Sequence, residues 1–68
     1  MEEMWLARDN SGSLYMFIGA KPNKYKCTWH NPMAVEILMI GSGMFPEIKW
    51  SDEEPTKVKI TIELDLNE

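Results

Sequence analysis

A chain of 68 residues with 44% apolar content is one small domain, too apolar to be a disordered segment and too short for a second core. Its single cysteine excludes an internal disulfide framework, and no apolar run approaches the roughly 18 residues of a membrane-spanning helix. The net charge of −4 argues against a general nucleic-acid coat, because phosphate neutralisation dominates that kind of affinity.

Residues 4–9 and 14–18 flank Asn10-Ser11-Gly12, a turn-rich triplet with glycine where a left-handed residue is wanted, and the pattern predicts a β-hairpin. With those three residues as the loop, Asp9 faces Ser13, Leu6 faces Met16 and Trp5 faces Phe17. One face then carries Met4, Leu6, Leu14, Met16 and Ile18, and the other carries Trp5, Ala7, Tyr15 and Phe17. Such a hairpin is either central in a sheet covered on both sides or an interface for another chain.

Residues 21–32 read as a loop, opened by Lys21-Pro22-Asn23 and closed by Asn31-Pro32. Residues 35–40 form an apolar run broken only by Glu36, the expected pattern of a buried strand, boxed in by Pro32 and Gly41. Past Gly41-Ser42-Gly43, Ser42 is placed to cap a short helical turn reaching Ile48, with Pro46 tolerated near its start. Trp50 leads into the acidic turn Ser51-Asp52-Glu53-Glu54-Pro55. In the final segment Val58, Ile60, Ile62, Leu64 and Leu66 alternate with Lys57, Lys59, Thr61, Glu63 and Asp65. This strict period of two predicts a strand with one dry face.

Charge is unevenly distributed. Residues 1–33 set Arg8, Lys21, Lys24 and Lys26 against Glu2, Glu3 and Asp9, a balance of +1; residues 34–68 set Lys49, Lys57 and Lys59 against eight acids, a balance of −5. The basic share is concentrated between Lys21 and His30, where Lys21, Lys24 and Lys26 interleave with Tyr25 and Trp29. Single-strand binders combine cations for phosphates with rings for bases, so Lys24, Tyr25, Lys26 and Trp29 are the candidate nucleic-acid contacts. Three lysines fall short of the usual electrostatic footprint, and a solvated loop with Trp29 folded onto the sheet is the simpler expectation.

Cys27 and His30 have C-x-x-H spacing, but a structural zinc site takes four ligands, usually Cys or His, and the chain has one of each. Asp9-Asn10-Ser11-Gly12 lacks the spacing and terminal glutamate of a calcium loop. Gly41-Ser42-Gly43 has no following lysine to make a phosphate loop. One histidine, one cysteine and no carboxylate pair beside a base leave no catalytic triad, so neither an enzyme nor a cofactor or metal is expected. Three tryptophans and Phe45 are worth more as core or interface anchors.

Trp5-Leu6-Ala7-Arg8-Asp9, Gly12, Leu14-Tyr15-Met16-Phe17 and Phe45-Pro46-Glu47-Ile48-Lys49-Trp50, followed by Asp52-Glu53-Glu54-Pro55, together resemble short uncharacterised proteins of phages and mobile elements of gut anaerobes. The resemblance covers most of the chain outside residues 19–43. It implies an accessory protein made inside a bacterial cell and carries over no functional residue.

The expectation is therefore a mainly β domain, with a small α+β fold as the variant: an antiparallel sheet of about four strands with one short helical turn. Its expected function is a non-enzymatic interaction with a protein partner. A nucleotide or single-stranded nucleic-acid binder using residues 21–30 is the alternative. The acidic opening Met1-Glu2-Glu3 is unlike a basic secretory leader, so the cytoplasm is the expected compartment. The doubly apolar hairpin also suggests a homodimer, with Trp5, Phe17 and Tyr15 as its interface candidates.

Overall fold

The computed structural model describes residues 3–61, 64 and 65. Six strands follow in chain order: β1 (Met4–Arg8), β2 (Leu14–Ile18), β3 (Asn23–Tyr25), β4 (Thr28–His30), β5 (Glu36–Ile40) and β6 (Thr56–Val58). Four of them make an antiparallel sheet in the order β5-β2-β1-β6, and β3 and β4 pair separately.

The β1–β2 hairpin has the predicted register, with Leu6 opposite Met16 and Trp5 opposite Phe17. Its loop closes through Asp9 N–H donating to Ser13 O at 2.9 Å, while Asp9 Oδ1 accepts from the N–H groups of Ser11 and Ser13, each at 3.0 Å. Gly12 sits at φ +97°, a backbone state that side chains oppose. Because β1 and β2 occupy the middle of the sheet, both apolar faces of the hairpin find cover. Leu6, Leu14 and Met16 pack with Ile48 on one face, flanked by Met4, Ile18, Ile40 and Val58. Ala7 and Phe17 pack with Trp29 on the other, flanked by Tyr15, Ala34 and Trp50.

Four local expectations need correction. Residues 21–32 are not an irregular loop: β3 and β4 form a second hairpin that lays Trp29 over Phe17, and Lys26 takes φ 56° at its turn. The segment from Ser42 to Ile48 is not helical. Met44 N–H bonds to Gly41 O and Ile48 N–H to Phe45 O, making reverse turns, and Phe45 is held at φ 52°. Pro46 explains this, since it has no N–H to give and keeps the residue before it out of the helical region. The run at residues 35–40 does form a strand, but β5 is an exposed edge and not a buried element. The final strand stops at Val58, which pairs with Met4, the first residue of β1, and Lys59 has no β1 residue opposite it. Ile60 and Leu64 are exposed, and Ile62, Glu63 and Leu66 lie outside the described residues.

Candidate functional site

Arg8 is the organising side chain of one face. Alternation along β1 turns it to the same side as Met4 and Leu6, toward residues 41–48. Nε donates to Ile48 O at 2.7 Å, Nη1 to Gly12 O and Ser42 O at 2.8 Å each, and Nη2 to Met44 O at 2.8 Å and Phe45 O at 3.2 Å. All five guanidinium donors therefore meet carbonyls, and Nη2 brackets the left-handed Phe45 by bonding its carbonyl and that of Met44 before it. This clasp sets Ile48 on the sheet. The carbonyl of Arg8 accepts from Trp29 Nε1 at 2.8 Å, so one residue ties both covering layers to β1.

Beside that clasp is an apolar cleft of about 420 Å³, lined by Leu6, Met16, Phe45, Ile48, Val58 and Ile60 among others, with Glu47 and Lys59 among its few charged groups. Among the described residues its lining offers no nucleophile paired with a base. What it can do chemically is accept an apolar group.

The cationic stretch is largely engaged within the chain. Trp29 is buried and meets Trp50 edge-on, with ring centroids 6.2 Å apart. Lys24 Nζ donates to Trp50 O at 2.6 Å and lies 4.3 Å from the Trp50 ring centroid. Tyr25 is exposed, with Lys26 Nζ 5.4 Å from its ring centroid. Of the four nucleic-acid candidates, then, Trp29 is a core residue and Lys24 is already bound to a carbonyl and two rings. Tyr25 and Lys26 remain on the surface, with His30 tilted against Tyr25 at 6.1 Å between ring centroids, so the four candidates leave one exposed ring with one neighbour in place of a row of them. Cys27 and His30 are both exposed, and among the described residues no three His, Cys, Asp or Glu side chains gather around a common point.

The interface candidates move in the same way. Trp5 and Phe17 are buried within the chain, and Tyr15 is half-buried beside Trp29. Phe17 is the clearest correction: at 2% exposure it cannot meet a second molecule without opening the fold.

A continuous run of exposed apolar surface lies instead along β5, while Tyr25, Met44, Phe45, Ile60 and Leu64 are exposed elsewhere. Val35, Ile37, Leu38 and Met39 remain 69%, 49%, 39% and 70% exposed, and Met33 adds to the patch. Register places Ile37 and Met39 on the face of Phe17 and Tyr15, and Leu38 on the face of Met16, so β5 presents apolar side chains to both sides. From Met33 to Gly43, Glu36 is the only charged residue. The opposite edge is quite different. There β6 is three residues long, follows Pro55, and carries Lys57 with its ammonium 6.0 Å from the Trp5 ring and 3.6 Å from Glu3. Short length, proline and lysine are the usual guards against edge-to-edge pairing, and β5 has none of them. Ile37, Leu38 and Met39 were missed as candidates because their exposure depends on strand order. The available signal was the charge-poor run itself.

Comparison with protein families, with curated proteins and with solved structures finds no match for this chain.

Proposed function

We propose that this chain is a non-enzymatic protein-interaction domain, an accessory factor of the mobile-element kind its phrases resemble, and that β5 is its binding element. The observation that carries the proposal is the unguarded edge: five residues, apolar on both faces, with Glu36 the only charge. An edge strand offers a row of free N–H and C=O groups, so a partner strand gains main-chain hydrogen bonds together with the apolar contacts of Ile37, Leu38 and Met39. Such a surface needs no chemistry from the chain and no bound group. Nucleic-acid binding is the weaker function, since Trp29 is enclosed and Lys24 is engaged.

Affinity capture from nuclease-treated bacterial lysate, washed at high salt, tests this. Wild-type protein should retain discrete proteins, an untagged copy of the chain included where the lysate contains it, and Ile37→Lys/Met39→Lys should lose them while melting like wild type. Binding that vanishes with nuclease or salt, or that survives the double substitution, would overturn it.

A further inference from the structure

Resting on β5 as the interaction element, we propose that its occupant is a second copy of this chain, paired antiparallel about a two-fold axis through Leu38 to make one continuous eight-stranded sheet. Three observations fit a copy of this chain on that edge.

The first is charge. Each chain carries −4, which opposes self-association in general. A two-fold at Leu38 nevertheless sets Glu36 opposite Ile40 of the second copy, so the two carboxylates lie at opposite ends of the ladder and never face each other. Neighbouring residues 41–43 are Gly-Ser-Gly and add no charge.

The second is side-chain complementarity. Directly opposed residues in an antiparallel pair point to the same face. Pairing about Leu38 sets Ile37 against Met39 on the Phe17 face and Leu38 against its own copy on the Met16 face. Every exposed apolar side chain of the strand thus meets another, on both sides of the sheet. A pairing that matched odd with even positions would bring the two unlike faces together.

The third is closure. Joining β5 to β6 of the next copy would build an open filament, but β6 is short and carries Lys57 and Pro55 beside it. Among the described residues β5 is the unguarded edge of the four-stranded sheet, so the isologous β5–β5 contact uses up that edge and ends at two. A five-residue edge is small beside the roughly 800 Å² per partner of a standard interface, so the dimer is weak and forms only as concentration rises.

The register makes the test specific. Sedimentation equilibrium from about 5 to about 500 µM, spanning the range expected for a contact of this size, should show 7.9 kDa chains shifting to twice that mass. Ile37→Lys/Met39→Lys opposes like charges twice across the axis and should remain monomeric throughout. Ile37→Lys/Met39→Glu opposes unlike charges in the same two places and should dimerise at least as well as wild type. Thermal melts at the lowest concentration should match for all three, since both positions are exposed. Wild-type protein that stays monomeric at the top concentration, or a mixed-charge variant no better than the all-lysine one, overturns the dimer. If partner capture from lysate still depends on β5 in that case, only the second-copy assignment fails; if capture is lost as well, the binding element is wrong.

Discussion

Arg8→Lys is the most informative single change to the fold. The guanidinium meets five carbonyls, two half-buried (Ile48 O and Gly12 O) and three at the surface. Charge-assisted hydrogen bonds of the half-buried kind contribute about 1–1.5 kcal/mol each, and the exposed three together about 1 kcal/mol after solvent screening. Removing the group altogether, as in Arg8→Met, should therefore remove about 3–4 kcal/mol, a large part of the stability of a domain this size. A lysine keeps the charge but offers three donors from one point and cannot span carbonyls spread from Gly12 to Ile48, so roughly 1–2 kcal/mol should go. For a domain of this length that lowers the melting temperature by about 5–15 °C. Amide hydrogen exchange should rise selectively at Met44 and Ile48, whose N–H groups close the turns that Arg8 holds. If Arg8→Lys melts within about 2 °C of wild type, well below the shift expected for such a loss, and leaves exchange at Met44 and Ile48 unchanged, the clasp is not what fixes this segment.

Other substitutions probe the remaining layers. Trp29→Ala should destabilise by about 3–5 kcal/mol in denaturant melts, and Trp29→Phe by roughly 1–2 kcal/mol, mainly from the lost bond to Arg8 O. Gly12→Ala should cost about 1–2 kcal/mol from backbone strain alone, because a β-carbon there would meet nothing within 4 Å, and D-alanine at the same site should be harmless. Ile60→Asp should change stability by less than about 1 kcal/mol, given 43% exposure, whereas Leu14→Asp should abolish folding in circular dichroism.

The central hairpin was readable because its information is local. The period of two in residues 4–9 and 14–18 and the triplet ending in Gly12 set the register before any tertiary contact is considered. The apolar character of both hairpin faces left two readings, a central position with two covers or an interface for another chain, and the first is the one observed. What covers the faces was legible only in part: Trp29 was expected to fold onto the sheet and does, but the second hairpin that carries it, and Ile48 as the anchor of the other face, are marked by no periodicity. The clasp on Arg8 brings together residues up to 40 positions apart, through backbone carbonyls that every residue possesses. The last segment shows the converse failure. From Val58 to Leu66 the alternation is the strongest in the chain, yet at Lys59 and Ile60 it makes no strand, since a strand also needs a neighbour and β1 supplies one only as far as Met4. The candidate surface suffered likewise: Val35 to Ile40 looked like a core strand because an apolar run does not say whether its strand is central or at the edge.

The most direct test of β5 as the place where two copies meet is a concentration series of amide NMR spectra on the labelled protein, from about 20 µM to about 1 mM, bracketing a contact of this size. Resonances of residues 35–41 should move together along one binding curve, while those of Tyr25, Lys26 and His30 stay fixed. A spectrum independent of concentration, or shifts centred on the β3–β4 hairpin, would contradict it.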